Sequence, residues 1–146
     1  MATKRYKRVR KLSVAECAYL AGIVDGEGSI TLTVKQKGGT RHLAVLISST
    51  DRALLEYARK VIGAGMLIAK RIYQPHHHAA YAYSVYSRQA LNVLKQIAPY
   101  LRTYKSRRAK LALAQYVLVT PRNGKYDNGL RKRREKFVKR FFSIMP

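Results

Sequence analysis

The sequence predicts an α+β protein with the element order α-β-β-α-β-β-α, in which four antiparallel strands form one sheet backed by helices. Segments with apolar residues every three to four positions, typical of helices, are interspersed with short segments in which apolar and polar residues alternate, typical of strands. The strand segments come in pairs joined by short loops, and such pairs are antiparallel. Helices that alternate with strand pairs indicate α+β rather than a doubly wound parallel sheet.

The first helix is predicted from Val14 to Asp25. Ser13 and Glu16 form the Ser-x-x-Glu pattern of a capping box, in which the side chain of each residue accepts a hydrogen bond from the backbone amide of the other. Gly26-Glu27-Gly28 is expected to end the helix, because glycine disfavours helical backbone.

A strand pair follows directly. In the first strand, Ser29–Lys35, apolar side chains occupy every second position, which places Thr31 and Thr33 together on the opposite face. Lys37–Thr40 contains two glycines and predicts a hairpin turn, and the return strand is predicted over His42–Ser49. We expect the apolar face to contact the helices and the polar face to remain available for a binding partner.

The remaining elements follow from the same periodicities and from turn residues. Asp51 is the predicted N-cap of the second helix, and Gly63-Ala-Gly65 ends it. The predicted elements are a helix over Arg52–Ile62, strands over Met66–Gln74 and Tyr81–Ser87, and helices over Arg88–Ala98, Thr103–Val119 and Leu130–Phe142. We interpret residues 1–146 as one domain with a basic arm (1–12) and a basic C-terminal extension (120–146).

The chain is strongly basic: 30 lysines and arginines against 7 aspartates and glutamates give a formal net charge of +23. A compact domain with this charge is expected to bind a polyanion. Nucleic acid is the first candidate, because neutralised phosphates release condensed counterions, and an anionic membrane surface is the second. A ribosomal or chromatin protein would have a similar composition, so charge alone does not identify the partner.

Cysteine content and hydropathy narrow the class further. Cys17 is the single cysteine, which excludes an internal disulfide and a cysteine-rich zinc module. No apolar run approaches the ~20 residues of a membrane span, and the basic N-terminus lacks the apolar core of a secretion signal. We therefore expect an intracellular protein, in the cytoplasm or nucleoid of a prokaryote or in an organelle, that is not secreted and has no membrane partner.

The first helix ends in the segment Leu20-Ala-Gly-Ile-Val-Asp-Gly-Glu-Gly28. Small residues on one face allow two helices to approach closely. The residues predicted to lie in a dimer interface are Ala18, Ala21, Gly22 and Asp25. A two-fold dimer of this helix would bring two Glu27 carboxylates together, and like charges so close require protonation or a bridging divalent cation.

These nine residues resemble the signature of the LAGLIDADG homing endonucleases. The matching positions are Leu20, Ala21, Gly22, Ile23, Asp25 and Gly28, and Gly26-Glu27 replaces Ala-Asp. The motif ends a predicted helix directly before a strand pair, as in the family, and the element order is similar from Ser13 to Val119. The resemblance implies the LAGLIDADG endonuclease-like fold, with the four-stranded sheet as its DNA-binding surface.

The resemblance also implies roles for individual residues. Glu27 occupies the acidic position that binds the catalytic metal, Mg²⁺ or another divalent cation such as Mn²⁺, and Gly26 would offer its backbone carbonyl to a metal. Ser49 takes the place of a polar residue that orders the attacking water. Asp25 is more similar to a structural residue at the helix end than to a ligand.

In the family, a basic residue after the sixth element approaches the scissile phosphate. Lys105 is our candidate for this role, and the spacing from Pro99 leaves Arg102 and Arg107 as alternatives. Because one copy of the motif is visible, the chain resembles the single-motif members, which are homodimers. The implied function is that of an intron-encoded, site-specific endonuclease that cuts both strands of a long, near-palindromic duplex DNA site. The alternative is a protein on the same scaffold that does not cut, either a DNA-binding protein or an intron maturase with RNA as its partner.

Strand alternation predicts which side chains meet the DNA, since a two-stranded ribbon fits the major groove. In the first strand pair and its turn these are Thr31, Thr33, Lys35, Lys37, Arg41 and His42. In the second pair Lys70 and Arg71 are adjacent and cannot both face DNA without a bulge. The predicted residues there are Lys70, Tyr81 and Tyr83. The basic run Arg131–Arg134 is interpreted as a phosphate-contacting or solvated helix face.

Overall fold

The computed structural model describes residues 6–70, 74–76 and 78–146. The order of its helices and strands confirms the α+β class with one antiparallel four-stranded sheet. In chain order the elements are α1 (Val14–Glu27), β1 (Gly28–Val34), β2 (Arg41–Ser49), α2 (Arg52–Ile62), β3 (Met66–Ala69), β4 (Tyr81–Tyr86), α3 (Ser87–Ile97), α4 (Lys105–Gln115) and α5 (Asn128–Ser143). Short 3-10 turns at Ala98–Tyr100 and Val117–Val119 flank α4.

The strands are paired in the order β1-β2-β4-β3, and every pair is antiparallel. One face of the sheet packs against the helices and is buried; it includes Ile30, Leu32, Val45, Ile47 and Val85. Alternate residues form the opposite face, which we call the outer face: Ser29, Thr31, Thr33, His42, Ala44, Leu46, Ser48, Met66, Ile68, Ala82, Ser84 and Tyr86. All of these except Ala44 are half-buried or exposed, so the outer face is accessible to a partner.

Helix α1 begins at the predicted capping box and ends two residues later than predicted. The Ser13 hydroxyl accepts a hydrogen bond from the Glu16 amide at 3.1 Å, and the Glu16 carboxylate accepts one from the Ser13 amide at 2.8 Å. At the other end, the Gly28 amide donates to the carbonyl of Val24. A Cβ on Gly28 would lie 2.8 Å from the Val24 Cα, so glycine allows β1 to start directly where the helix stops. Glu27 therefore lies at the junction between helix and sheet.

The second strand pair departs most from the predicted boundaries. β3 ends at Ala69 rather than Gln74, although the Lys70 amide still donates to the Ala80 carbonyl at 2.8 Å. Residues 71–73 of the predicted strand lie outside the described part of the chain. β4 gives way to α3 without a loop at Ser87, whose φ of 53° lies in the left-handed region. This sharp reversal fixes where the outer face ends on β4.

The N-terminal segment is docked on the domain rather than free, which corrects the expectation of an arm for its described part. The Arg10 amide donates to the Ile62 carbonyl at 2.8 Å. The Gln96 side chain bonds twice to the same segment, accepting from the Leu12 amide at 2.7 Å and donating to the Arg10 carbonyl at 3.1 Å. Leu12 is itself buried. Residues 1–5 lie outside the described chain.

The C-terminal extension contains α5, whose apolar side chains Phe137 and Phe141 are buried in the same cluster as the core of the sheet. Arg134 does not lie on a solvated face as predicted, because it is 7% exposed. Its guanidinium donates to the carbonyls of Val119 and Arg41. This arginine therefore joins α5 to β2. Among the described residues, no helix combines the length and apolarity needed to cross a bilayer.

Candidate active site and nucleic-acid interface

The C-terminal end of α1 presents a carboxylate to solvent. Glu27 is the last residue of the helix, and both Glu27 and the preceding Gly26 are exposed. The last carbonyls of a helix carry a partial negative charge. Hard divalent cations prefer such oxygen ligands, so the two predicted metal ligands fit the chemistry of a divalent cation site.

Lys105 approaches the same helix end from inside the protein. It is 8% exposed, and its Nζ donates to the carbonyls of Val24 at 2.8 Å and Asp25 at 2.9 Å. Burial lowers the pKa of Lys105, with a further contribution from Arg108, while the charges of Asp25 and Glu27 oppose the shift. The structure thus brings Lys105 into the electrostatic environment of Glu27.

Asp25 holds this arrangement together. Its carboxylate accepts hydrogen bonds from the Arg102 amide at 2.8 Å, the Thr103 amide at 3.2 Å and the Thr103 hydroxyl at 2.6 Å. Burial raises the pKa of Asp25, but these hydrogen bonds and Lys105 outweigh it and hold the pKa below its usual range. The carboxylate therefore has a structural role within the chain, and the position of Asp25 in a dimer interface stays a prediction.

Neither alternative to Lys105 has a side-chain hydrogen bond to the end of α1 among the contacts of the described residues. Arg107 donates to the carbonyl of Met145 at 3.2 Å, near the C-terminus. Arg102 contributes its backbone amide to Asp25, and its side chain is exposed. Of the candidates in this segment, Lys105 has hydrogen bonds that hold its charged atom at the end of α1.

Ser49 lies at the end of β2, where its hydroxyl accepts a hydrogen bond from the Asp51 amide at 3.0 Å. The Asp51 side chain in turn accepts from the Ala53 amide at 3.0 Å and caps α2. By alternation Ser49 shares the helix side of the strand with Ile47, and Ser48 belongs to the outer face. The hydroxyl of Ser49 therefore stabilises the turn into α2, and a role in ordering a water stays a prediction.

One side of α1 is exposed and built from small residues. Ala18 and Gly22 are exposed, and a Cβ added to Gly22 or Gly26 would meet nothing within 4 Å. Nothing within the described chain therefore requires glycine at these two positions. Ala21 is a correction to the predicted interface, because it is fully buried against its own subunit.

A single chain supplies one available carboxylate at this site, since Asp25 is held by hydrogen bonds and Glu27 is exposed. Among the described residues, no group of three or more histidine, cysteine, aspartate or glutamate side chains is arranged to hold a metal ion. A second copy that faced the exposed side of α1 would bring another Glu27 to the same place.

A sequence profile described as LAGLIDADG endonuclease matches residues 20–121, more than half of the chain, including both Glu27 and Lys105. The chain belongs to the LAGLIDADG endonuclease family. Membership makes the protein a DNA endonuclease by family and confirms the fold implied by the motif at Leu20–Gly28. No curated protein sequence matches the chain.

Solved structures with the LAGLIDADG fold are similar over most of the chain. The homing endonuclease I-CvuI, in complex with its target in the presence of Ca, has a TM-score of 0.72 at 22% identity and covers 90% of this chain and 82% of its own. The archaeal intron-encoded I-Vdi141I, complexed with DNA, has a TM-score of 0.61 at 18% identity, with coverages of 90% and 85%. I-GzeII, in complex with a DNA target, has a TM-score of 0.64 at 16% identity, with coverages of 89% and 45%. At these identities the likeness shows the fold alone.

In this LAGLIDADG endonuclease, the first strand pair places most of its predicted DNA-binding residues as the alternation requires. Thr31, Thr33 and His42 lie on the outer face, and Lys35 and Lys37 are exposed in the turn beyond it. Burial lowers the pKa of His42, and the nearby charges of Lys35 and Arg134 act in the same direction. These causes favour the neutral imidazole of His42 in the free protein.

The prediction that Arg41 faces DNA with the other residues of the first strand pair is wrong. Arg41 alternates with His42 and so belongs to the helix side of β2. Its guanidinium donates to the Leu32 carbonyl at 3.1 Å and lies 5.1 Å from the ring centroid of Phe142 on α5. The charge of Arg41 therefore contributes to the docking of the C-terminal helix.

In the second strand pair, the two predicted tyrosines lie on the helix side of the sheet rather than on its outer face. Tyr83 is fully buried, and its hydroxyl donates to the Ala64 carbonyl at 2.5 Å. Burial raises the pKa of Tyr83, so the hydroxyl remains a donor. Tyr81 has the same parity as Tyr83, and its ring lies 5.6 Å from the Arg52 guanidinium. Lys70 remains an exposed residue at the end of β3.

Sequence reasoning missed the residues that do face outward in this pair, Met66, Ile68, Ala82 and Ser84. The alternation of apolar residues along β4 could have identified them from the sequence. Val85 shares a face with Tyr81 and Tyr83, because alternate residues of a strand point to the same side. An apolar valine on that face indicates that all three side chains point toward the core.

Proposed function

We propose that this LAGLIDADG endonuclease acts as a homodimer that hydrolyses phosphodiester bonds on both strands of a long, near-palindromic duplex DNA site, in the presence of Mg²⁺ or a similar divalent cation. The observation that carries the proposal is the meeting of Glu27 and Lys105 at the end of α1. An exposed carboxylate can hold a divalent cation, and a lysine at the same helix terminus can offset charge on the attacked phosphate.

The exposed side of α1 supports the homodimer. Helix α1 is apolar around its whole circumference, with Leu20 and Val24 in the core and Val14 and Tyr19 exposed. A helix that is apolar all round is normally buried on all sides. The open space at Gly22 would allow a second α1 to approach closely. The chain spans slightly less than half of I-GzeII, a proportion that fits one half of a paired assembly.

The proposed chemistry divides between two residues. Glu27, with the carbonyl of Gly26, would hold the cation, which supplies a water of lowered pKa and offsets charge on the attacked phosphate. The Lys105 ammonium has three N–H groups, of which two are bound to helix carbonyls. The third is available to the phosphate or to the attacking water, where a fixed positive charge stabilises the developing negative charge.

The outer face of the sheet would recognise the DNA sequence. Thr31, Thr33 and His42 present hydrogen-bonding groups on one surface, and Lys35 and Lys37 extend that surface with positive charge. A dimer presents the same surface twice about a two-fold axis, so the two half-sites should be related by the same symmetry.

The test is cleavage of a randomised near-palindromic duplex library with Mg²⁺ and with EDTA, followed by sequencing of the recovered ends. We expect double-strand breaks at one two-fold-related site in Mg²⁺ and none in EDTA. Glu27→Gln should bind that site with near-normal affinity without cutting it, whereas Glu135→Gln, which removes an exposed carboxylate on α5, should cut normally.

Two results would contradict the proposal. Full cutting by Glu27→Gln would show that Glu27 does not hold the catalytic cation, and loss of its binding would contradict a role confined to the chemical step. Binding of duplex DNA without cutting in any divalent metal would instead indicate a non-cutting DNA-binding protein or an intron maturase, with intron RNA as the next ligand to measure.

A further inference from the structure

An apolar patch interrupts the polar outer face of the sheet. We define the apolar patch as Leu46, Met66, Ile68 and Ala82. The strand register places them in two rows: Ser84 lies between Leu46 and Met66 in one, and Ala82 lies beside Ile68 in the other. Met66 is 61% and Ile68 52% exposed, and the other two are half-buried.

Packing within the chain does not account for this patch. Its residues alternate with the half-buried Leu67, which packs against the core, and with the buried Tyr83, so they face away from the helices. The solvated face of an antiparallel sheet is normally polar, as it is on β1, where Ser29, Thr31 and Thr33 occupy the equivalent positions. An exposed cluster of large apolar side chains on a flat face therefore marks a contact with another molecule.

The register also locates the patch relative to the active site. One row across the sheet begins at Gly28 on β1, directly after Glu27. It continues through Ile47 on β2 and Tyr83 on β4 to Leu67 on β3. Along the strand direction Ile68 is therefore one residue from the row of Gly28, at the Glu27 end of the sheet, while across the sheet β3 lies three strands, roughly 14 Å, from β1. Thr33 lies five residues beyond Gly28, roughly 17 Å farther along the strand.

We propose that the apolar patch binds the 5-methyl groups of thymines in the major groove, at the base pairs of each half-site nearest the scissile phosphates. Thymine is the base that shows a methyl group in that groove, and apolar side chains recognise it without a hydrogen-bond donor. The outer face carries no aspartate or glutamate that would repel the phosphates. Lys70, exposed next to the patch, is placed to contact the backbone. The assignment rests on the proposed function of the sheet.

The test uses the target recovered from the duplex library and replaces its thymines one at a time by deoxyuridine, which lacks only the methyl group. For the wild-type protein, the Kd should rise about fourfold at a thymine nearest the cut, because burial of one methylene-sized group is worth about 0.8 kcal/mol and a tenfold change is about 1.4 kcal/mol. In Ile68→Ala or Met66→Ala, the same replacement should leave the Kd unchanged. Lys70→Ala is the matched control, since it should weaken the thymine and deoxyuridine duplexes equally.

The possible failures are distinguishable. Normal Mg²⁺-dependent cutting that is insensitive to every such replacement, or a site with no thymine next to the cut, overturns this inference and leaves the proposed function intact. A protein that neither binds nor cuts any duplex overturns both. A change of oligomeric state in Ile68→Ala, with an unchanged response to deoxyuridine, would assign the apolar patch to a protein contact.

Discussion

At the scale of single residues, the proposed active site depends on how Lys105 is buried. Lys105 crosses from α4 to the last turn of α1, where carbonyls with partial negative charge compensate the loss of water around its ammonium. Asp25 fixes the segment before α4 through three hydrogen bonds, so the lysine enters from a set position. Because burial lowers the pKa of Lys105, its charge is lost at a lower pH than that of a lysine in water.

Lys105→Met should reduce the single-turnover rate of DNA cleavage by about 10²–10³-fold, the usual cost of removing one group that stabilises transition-state charge. Binding in EDTA should change little. The variant should also lose roughly 1–3 kcal/mol of stability, because the half-buried Asp25 carbonyl loses its lysine donor and the Val24 carbonyl keeps only the Gly28 amide. Lys110→Met, which removes an exposed lysine from the same helix, should cleave normally, and cleavage by Lys105→Met within tenfold of wild type would argue against the assigned role.

We expect the same lysine to set the alkaline side of the pH profile of cleavage. The proposed role requires the protonated form, so the wild-type cleavage rate should fall as pH rises through the pKa of Lys105. That fall should begin below the range of an ordinary lysine, and Lys105→Met should lack it when single-turnover rates are compared over the same pH series. A rate that rises through this range would make Lys105 a general base instead.

At the scale of elements, α1 has two faces with different purposes. Leu20, Ala21 and Val24 are buried in the core of their own subunit, while Ala18 and Gly22 are exposed. The motif predicts a helix that packs against a second subunit, but the sequence alone does not show which face is buried in its own subunit and which is exposed. Ala21 and Gly22 are adjacent small residues, and only the packing of α1 on the sheet shows which one looks outward.

Gly22→Leu should separate folding from dimerisation. The structure has open space at this position, and leucine is the better helix former by up to about 1 kcal/mol, so the isolated subunit should fold at least as well. The added side chain should prevent close approach of a second α1. Sedimentation equilibrium should show a monomer, and double-strand cleavage should be lost. Ala114→Leu, at an exposed position on α4, is the matched control and should stay dimeric; a dimeric Gly22→Leu would move the interface elsewhere.

The elements also show what the sequence could predict and what it could not. The capping box at Ser13 and the alternation of β1 are local patterns, and both were sufficient to place their residues. The prediction for the second strand pair was wrong because tyrosine is amphipathic and suits either face of a sheet. The buried face of β4 is identified instead by Val85 and by the hydrogen bond from the Tyr83 hydroxyl to the Ala64 carbonyl. Long-range contacts of arginines leave no local pattern at all.

Arg134 is the clearest case of such a contact, and its replacement should be costly. Its guanidinium donates to the Val119 carbonyl at 2.6 Å and to the Thr120 hydroxyl at 2.8 Å, as well as to β2. Arg134→Met should lower the free energy of unfolding by at least about 2 kcal/mol, since an unpaired buried polar group costs roughly 1–3 kcal/mol. The exposed neighbour provides the control: Arg133→Met should change stability by less than about 0.5 kcal/mol in the same urea titrations. Equal effects would mean that the contacts of Arg134 contribute little.

At the scale of the whole molecule, the positive charge is largely uncompensated within the chain. Among the described residues, lysine and arginine side chains form one ion pair, between Arg52 and Glu56 at 2.9 Å. The net charge of +23 must therefore be balanced by counterions in the free protein. The exposed cations include a group on α5, Arg131, Lys132, Arg133, Lys136, Lys139 and Arg140. Such a molecule destabilises itself by repulsion and gains when phosphates replace its counterions.

DNA binding should for this reason depend steeply on salt. A protein that neutralises 6 to 10 phosphates loses about 10³–10⁵-fold in affinity between roughly 50 and 200 mM salt, and a dimer with this charge should fall in or above that range. Binding of the cognate duplex in EDTA, titrated at several salt concentrations, measures the slope. The rate of cleavage with all DNA bound should change far less, because Lys105 is buried and therefore screened little by salt. A weak salt dependence of DNA affinity, together with a strong salt dependence of the cleavage rate, would mean that the positive charge serves the chemical step rather than DNA binding.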